Sequence, residues 1–326
     1  MNRRQHGVSL VELMVAMTIG LLILAAIFSV YLSSRDSFRT SDLVARMQEN
    51  ARIALQIVAE DLQATGYLGN TANPALIEGR RGGPGERPDI GSDCAERWYV
   101  DMAAMLVIGN NQVPTLNGTS FAERCMNGSN YLAGTDVIAL KRASSAPITS
   151  MAPHNNWLLI RTDPMRGAFF IGGGSEPSGF DPDISTTRRW LVHVFYVARD
   201  NHDGRIPVLR RKVLGAGPAL HDGQSDLVRG IEDLQIQLGI DTNGDGTVDS
   251  YVEPGTEGFA RIVSARVWVL ARADEPEADH DDSKNTYVYA DKSYTPDTTS
   301  DGLVPAPHRY RRLLLSRTVT FRSKWQ

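Results

Sequence analysis

The chain has 326 residues, with 34 Lys and Arg against 38 Asp and Glu, which gives a formal net charge of −4. Its 42% apolar and 22% charged residues exclude a collagen-like or wholly disordered chain, and two cysteines exclude a disulfide-dense scaffold. The near-neutral balance argues against binding of nucleic acid through bulk charge, so no nucleic-acid partner is expected. At roughly 100 to 200 residues per domain, the length allows one large domain or two ordinary ones.

One apolar segment near the N-terminus stands out from these averages. Of the 25 residues from Val8 to Leu32, 20 are apolar. A helix of roughly 20 apolar residues can cross the hydrocarbon core of a bilayer, which is about 30 Å thick. The residues before the segment include Arg3 and Arg4, and such positive flanks stay in the cytoplasm. We therefore predict a single membrane-spanning helix, with the rest of the chain on the far side of the membrane.

The junction Gly7-Val8-Ser9-Leu10-Val11-Glu12 distinguishes this segment from an ordinary signal peptide. A secretory signal has an apolar run of roughly 7 to 15 residues that precedes its cleavage site. Here a cut after Gly7 would leave the apolar run in the mature chain. Glu12 is the only charged side chain between Val8 and Leu32, and a carboxylate within a membrane segment is costly and by default marks function. The alternative is a Glu close enough to the helix start to reach the lipid headgroups.

A cut after Gly7 would also give Val8 a cationic amine in an apolar setting. Opposite charges gain far more from pairing there than they do in water. If Glu12 of an incoming subunit meets the Val8 amine of its neighbour, the pair sets the axial register of a helical bundle.

The junction resembles the type IV pilin class, whose precursors carry a short basic leader that ends in Gly, followed by an S/T-L-x-E pattern. The resemblance implies that a prepilin peptidase cuts between Gly7 and Val8 on the cytoplasmic side and methylates the new amine. Glu12 then stands fifth in the mature chain. The class usually has Phe at the first mature position, from which Val8 departs.

The helix is predicted to continue past the membrane, because no proline precedes Pro74. We expect one helix from about Val8 to Gly66, where the glycine stops it. Charged residues of the second half (Arg46, Glu49, Arg52, Glu60, Asp61) are expected on a solvated face. The opposite, buried face is predicted from apolar residues that recur every three or four positions: Leu43, Met47, Ala51, Ala54, Leu55, Val58 and Leu62.

The remainder of the chain is rich in residues that favour strands. Residues 234–240 alternate apolar and polar side chains, as a half-buried strand does. An order of one long helix followed by strands predicts an α+β fold, in which the amphipathic half of the helix packs on an antiparallel β-sheet head. Further strands are predicted at 135–143, 190–199, 206–214, 248–252, 261–272 and 313–322.

Three later stretches resemble the PilW-type minor pilins, which are close kin of the type II secretion minor pseudopilins of the J kind. They are RIALQIVAEDLQATGYLG (52–69), LVRGIEDLQIQLGID (227–241) and YRRLLLSRTVTFR (310–322). The resemblance implies a pilin-like organisation: a leader at 1–7, a transmembrane and assembly helix at 8–32, its amphipathic continuation at 33–66, and a periplasmic β-rich head at 67–326.

The function implied by the resemblance is that of a minor pilin, not an enzyme, that primes pilus assembly and forms the tip complex, supporting twitching motility, adhesion or DNA uptake. The protein would wait in the inner membrane and then enter the pilus fibre. Its expected partners are the prepilin peptidase, other minor pilins and the major pilin, a tip adhesin and the inner-membrane assembly platform.

Two alternatives stay open at this point. A type II secretion pseudopilin of the J kind would share every one of these features. A membrane-anchored periplasmic enzyme is the other alternative, although the sequence has no G-x-S-x-G, P-loop or H-E-x-x-H motif.

Residues 241–249 match the opening of a calcium loop, D-x-[DN]-x-[DN]-G. Its candidate ligands are Asp241, Asn243, Asp245, Thr247 and Asp249. Position 12 of the loop is Val252, and Glu253 comes one residue late, so the closing ligand is out of place. The alternative is a hairpin turn, because Asn243-Gly244 and Asp245-Gly246 are turn dipeptides that precede a short predicted strand. A cation could also pin such a turn.

Cys94 and Cys125 are predicted to form a disulfide in the oxidising periplasm, worth roughly 3 kcal/mol; two free buried thiols are the alternative. The acidic run 274–282 is expected to be a solvated loop. A C-terminal basic cluster is expected on the exposed polar face of a strand, where it would protect the edge: Arg309, Arg311, Arg312, Arg317, Arg322 and Lys324.

Overall fold

The computed structural model describes residues 9–85, 88–90, 94, 97–116, 118–126, 130–200, 204–255, 261–299, 301 and 303–322. The chain divides into two compact units, Met1–Arg46 and Met47–Gln326. The long helix α1 (Leu10–Gln63) begins in the first unit and ends in the second, and α2 is a single turn at Phe121–Arg124.

Over the described ranges, sixteen strands follow α1 and are numbered β1–β16 in chain order. Their bounds are Ile77–Glu78, Leu106–Gly109, Thr115–Leu116, Thr119–Ser120, Val137–Ala143, Leu158–Thr162, Gly167–Ile171, Thr186–Arg199, Pro207–Leu214, Leu220–Arg229, Ile231–Ile240, Ser250–Val252, Ile262–Arg272, Tyr287–Tyr289, Lys292–Tyr294 and Arg312–Thr320.

Helix α1 ends at Gln63, three residues before the predicted stop at Gly66. Gly66 has φ 79°, a conformation that suits glycine, and its N–H bonds Lys141 O at 3.0 Å. In the second unit the predicted apolar positions from Met47 to Leu62 are all buried, with Ala59 added. Leu43, at the end of the first unit, is half-buried. The predicted buried face of the helix is therefore confirmed from Met47 to Leu62.

The first sheet has eight strands, and β8 is the strand that the others share. Residues 186–189 of β8 pair with β6, residues 190–195 with β5, and residues 193–199 with β9. The strand order is β1-β7-β6-β8-β5-β2, with β9 and β10 added beside β8. All pairings are antiparallel except that of β1 with β7.

The second sheet is antiparallel, in the order β12-β11-β13-β16. Two small hairpins, β3–β4 and β14–β15, lie outside both large sheets. The predicted α+β class, with one long helix and a mostly antiparallel head, is confirmed. Strands β5, β8, β9, β11, β12, β13 and β16 correspond to the seven that were predicted.

One carboxylate, Asp61, joins the end of α1 to three strands of the first sheet. It is 3% exposed. Its Oδ1 accepts hydrogen bonds from Arg142 Nε and Nη2 on β5 at 3.0 and 2.7 Å. Its Oδ2 lies 2.6 Å from Nδ1 of His193 on β8 and 3.6 Å from Nη1 of Arg211 on β9. The expectation that Asp61 lies on the solvated face is wrong, because these three bases draw it into the packed face.

The charge state of this group follows from burial and hydrogen bonding. Burial raises the pKa of Asp61, but the hydrogen bond and charge of His193 and the Arg142 guanidinium outweigh it and lower the pKa. Burial lowers the pKa of His193 in spite of its bond to Asp61. A neutral imidazole that donates Nδ1–H to an ionised Asp61 fits both directions.

A second buried carboxylate, Asp136, connects the two sheets. Its Oδ1 accepts from Asn111 N at 2.8 Å, and its Oδ2 accepts from Ile236 N of β11 at 2.9 Å. Its own N–H donates to Leu234 O at 2.9 Å. Burial, together with the charges of Asp233 and Asp291, raises the pKa of Asp136 to about 7 despite these N–H donors.

We predict that Asp61→Asn lowers the free energy of unfolding by about 3 to 5 kcal/mol, because it leaves the half-buried Arg142 and the buried His193 without the carboxylate that they bind. Urea unfolding of the detergent-solubilised full chain measures the change. Glu60→Gln is the matched control, since Glu60 is exposed and its Oε1 accepts a hydrogen bond from Gln56 Nε2 of the same helix at 2.9 Å. We expect it to cost less than about 0.5 kcal/mol. If Asp61→Asn lowers the free energy of unfolding as little as the control does, Asp61 does not hold the helix to the sheet.

We also predict that the free energy of unfolding depends on pH through Asp136 and that Asp136→Asn removes this dependence. A carboxyl whose pKa rises from 3.8 to about 7 on folding stabilises the fold fully below about pH 3.8 and loses that contribution as the pH rises through about 7. The free energy of unfolding of the wild type should therefore fall relative to that of Asp136→Asn between about pH 5 and pH 8. Two parallel curves would show that Asp136 does not titrate in this range.

Candidate assembly site

The apolar half of α1 is exposed in the part of the chain that the structure describes. The membrane-compatible window of this helix is 0% buried, and exposed large apolar side chains extend from Leu10 (75%) to Leu32 (42%). A single exposed Leu is ordinary, but a continuous helical surface of this kind marks contact with lipid or with other helices. By length and composition, α1 is the one helix in the described part of the chain that could cross a membrane.

Glu12 lies in the first turn of this exposed helix. Ser9 precedes the helix, and its N–H donates to Glu12 Oε2 at 3.4 Å, while Leu13 N bonds Ser9 O at 3.1 Å. This places Glu12 three residues after the helix cap, where its carboxylate satisfies an amide that the helix leaves unpaired and also complements the positive end of the helix dipole. Among the described residues, Glu12 therefore has a capping hydrogen bond from Ser9 N, and no basic side chain pairs with it.

The two residues of the predicted cleavage site, Gly7 and Val8, lie outside the described residues. The prediction that the chain is cut between them is therefore carried by the sequence motif alone.

Cys94 and Cys125 form the disulfide that the sequence predicted, with Cα atoms 5.2 Å apart. Both are buried, at 0% and 8% exposure. The aromatic rings of Trp98 and Phe121, each close to one cysteine in sequence, lie 4.9 Å apart between centroids. A cross-link between two loop segments at this point holds the aromatic pair together.

A fully buried lysine beneath this aromatic pair was not predicted. Lys141 Nζ lies 4.9 Å from the Trp98 ring centroid and donates to the carbonyl oxygens of Trp98 and of Asp101, the latter at 2.6 Å. Lys141 lies between Leu140 and Arg142 on β5, and this sequence pattern does not predict that its side chain is buried.

The predicted calcium loop lies between β11 and β12, so the hairpin interpretation is confirmed. Its side chains bond within the loop: Asp241 accepts from Gly244 N and Gly246 N at 2.6 and 2.8 Å, and Asp245 accepts from Thr247 N at 2.7 Å. Further bonds join Asn243 Oδ1 to Asp245 N at 2.9 Å and Asp249 Oδ2 to Thr242 N at 2.7 Å.

Among the residues that the structure describes, no closing ligand completes this loop. Val252 stands in β12, and Glu253 Oε1 accepts from Gln237 Nε2 at 2.5 Å. Within the described ranges, no group of three or more His, Cys, Asp or Glu side chains is placed to hold a metal ion. The first half of a calcium loop is present, and the second half does not fit.

The acidic run and the basic cluster bind one another in part, which corrects the expectation that both are solvated. Arg312 is buried, with Nε 2.6 Å from Glu232 Oε2 and Nη1 3.2 Å from Asp282 Oδ2. Arg311 Nε lies 2.7 Å from Glu277 Oε1. The acidic loop returns against the start of β16 through hydrogen bonds between main-chain groups, so these charges lose water and must pair.

Two family matches were found along the chain. Residues 2–28 match the family described as Prokaryotic N-terminal methylation motif, and residues 194–323 match that described as Type IV Pilus-assembly protein W. The first range includes Gly7, Val8 and Glu12 together with most of the exposed apolar helix. The second includes the C-terminal part of β8, residues 194–199, and all of β9–β16.

Searches of the curated proteins and of the solved structures gave no match. The resemblance seen in the sequence is nonetheless confirmed at both ends of the chain. The chain therefore carries the N-terminal methylation motif of prepilin-like proteins and a type IV pilus-assembly protein W domain, which supports a role like that of a type IV pilus minor pilin.

Proposed function

We propose that this protein is a minor pilin, made as a membrane-bound precursor and incorporated into a type IV pilus after its leader is removed. The observation that carries the proposal is the exposed apolar helix with one carboxylate in its first turn, inside the range that matches the methylation motif. Such a helix needs lipid around it before assembly and neighbouring helices afterwards. The match at 194–323 supports the pilus in particular.

We infer that the prepilin peptidase cuts the peptide bond between Gly7 and Val8 and that the new amine is then methylated. Arg3 and Arg4 keep the leader in the cytoplasm, and the residues after the membrane segment form a periplasmic head. This topology rests on the charge asymmetry and on the motif.

Glu12 has a specific role in this proposal. After cleavage, the Val8 amine carries a positive charge in a medium of low dielectric constant, and Glu12 carries the matching negative charge. Within one subunit Glu12 already caps the helix start. In the filament we propose that it pairs with the amine of a neighbouring subunit, because an ion pair is strong where water is excluded and fixes the axial register.

The finer assignment follows the family resemblance. We propose that the protein helps to prime assembly on the inner-membrane platform and sits in the tip complex with other minor pilins, a tip adhesin and the major pilin below. Twitching motility, adhesion or DNA uptake would then depend on it. The head supplies interaction surfaces, and no catalytic chemistry is required of it.

Type II secretion is the alternative closest to this proposal, since a minor pseudopilin has the same N-terminal requirements. Deletion of the gene discriminates between the two: loss of pili and of twitching with normal protein secretion supports the pilus, and the converse supports secretion. A membrane-anchored enzyme would keep its activity without processing.

We predict that Glu12→Gln is processed like the wild type but is absent from sheared pili, because the amide cannot neutralise the neighbour's amine. Immunoblots of membrane and sheared fractions measure this. Thr18→Ala is the matched control, since the Thr18 hydroxyl donates to Val15 O of its own helix and carries no charge. Gly7→Ala should retain the leader and stay in the membrane. Glu12→Gln in sheared pili at the wild-type level would contradict the proposed role of the carboxylate.

Calcium binding by residues 241–249 stays a prediction, supported by the oxygen ligands of the first half of the loop. If it occurs, millimolar Ca²⁺ raises the melting temperature of the detergent-solubilised full chain above its value in EGTA, because only the native state binds the ion. Asp245→Asn should abolish the difference, and Asp281→Asn, in another exposed acidic loop, should preserve it. Equal melting temperatures in Ca²⁺ and EGTA would leave the loop as a hairpin turn alone.

A further inference from the structure

The edge strands of the two sheets differ in how well they are protected against pairing with another chain. An edge strand presents unpaired N–H and C=O groups, and proteins blunt such edges with short strands, bulges or proline. In the described part of the chain, β1, β2 and β12 have two, four and three residues, and β10 has two register shifts against β9.

Strand β16 lacks these protections. It has nine residues without proline, and its pairing with β13 runs from Arg312 to Thr320 without a register shift. Its first residue, Arg312, turns its charge into the protein, where its side chain is 0% exposed. Arg317 is the one other charged residue of the strand.

Two hydrogen bonds beside β16 fix which of its residues face β13. Ala273 N donates to Arg311 O at 2.9 Å, and Phe321 N donates to Val263 O at 3.1 Å. Antiparallel partners alternate between bonded and non-bonded pairs, so the odd-numbered residues of this strand bond β13. The main-chain N–H and C=O groups of the even-numbered residues therefore point to the outer edge, at Leu314, Ser316, Thr318 and Thr320.

This outer edge is accessible. Ser316, Arg317 and Thr318 are exposed, and the main-chain groups of Ser316 and Thr318 have no hydrogen-bond partner among the residues described. Arg317 likewise has no described carboxylate beside it. A straight edge of β-forming residues with one unpaired cation is a surface suited to the addition of a strand.

We propose that the outer edge of β16 pairs with an extended strand of a different pilus subunit, one that places a carboxylate opposite Arg317. The proposal rests on the proposed function, which brings other subunits to this head. A second copy of this chain fits poorly, because β16 (RLLLSRTVT) contains no Asp or Glu and its other edges are short or bulged. Backbone pairing would supply affinity, and Arg317 would select the partner.

A proline at position 316 separates this pairing from folding. The N–H of Ser316 points outward, so Ser316→Pro removes a bond to the partner and none to β13, and proline is tolerated on edge strands in this orientation. Ser316→Ala is the matched control, since it changes the side chain and keeps the N–H. The melting temperature of both variants should stay close to that of the wild type.

The test places the photo-crosslinker p-benzoylphenylalanine at Thr318 of the full chain in piliated cells. We expect an ultraviolet-dependent adduct with a strand of another pilus subunit, identified by mass spectrometry, in which an Asp or Glu lies near the linked residue. Ser316→Pro and Arg317→Glu should each reduce the adduct at least about fivefold, and Ser316→Ala should not. The same crosslinker at Val288, which is 70% exposed on β14, should not give this adduct.

No adduct at Thr318, an adduct with a second copy of the chain, or an adduct unaffected by Ser316→Pro would each overturn the inference while the wild-type chain is present in sheared pili. Absence of the wild-type chain from sheared pili would overturn the proposed function, and with it the partner named here. The two outcomes are distinguished because the adduct and the presence of the chain in sheared pili are measured separately on the same cells.

Discussion

The constraint on which the rest depends is that the first half of α1 offers an apolar surface that no other part of the described protein covers. A helix of about twenty exposed apolar residues is stable in water only when something else buries it. Lipid and neighbouring helices can both do so, and the same residues suit both. Exposure of this surface, combined with the methylation motif at 2–28, supports a role like that of a type IV pilus minor pilin.

Within the second unit, the end of the same helix serves as a core element. Small and branched side chains from Met47 to Leu62 are buried, and Asp61 binds three strands at once. A carboxylate between two arginines and a histidine also fixes how the helix end is oriented on the sheet, because hydrogen bonds to a charged group require a defined geometry. Asp136 then connects the first sheet to the second, so helix and both sheets form one connected head.

Much of the fold could be predicted because its signals are local. Helical spacing identified α1, and alternation identified β11. Strands β6 and β7 were missed because they are short, almost fully buried runs without alternation. Asp61 lies three residues after Val58, so the helical spacing that identified Val58 as buried also places Asp61 on the buried face. Asp61 was assigned to the solvated face because of its charge alone. Its partners Arg142, His193 and Arg211 are distant in sequence, so a single sequence cannot pair them. At the candidate site, Gly7, Val8 and Glu12 could be predicted because the motif is contiguous.

The central claim is that the apolar helix is retained after cleavage and carries the protein into a filament. The most direct measurement is the N-terminal sequence and mass of the protein purified from sheared pili and from membranes. We predict a chain that begins at a methylated Val8 in the pili, and both this form and the precursor in the membranes. A chain that begins at Met1 in both fractions, or one that has lost the residues up to Leu32, would contradict the account.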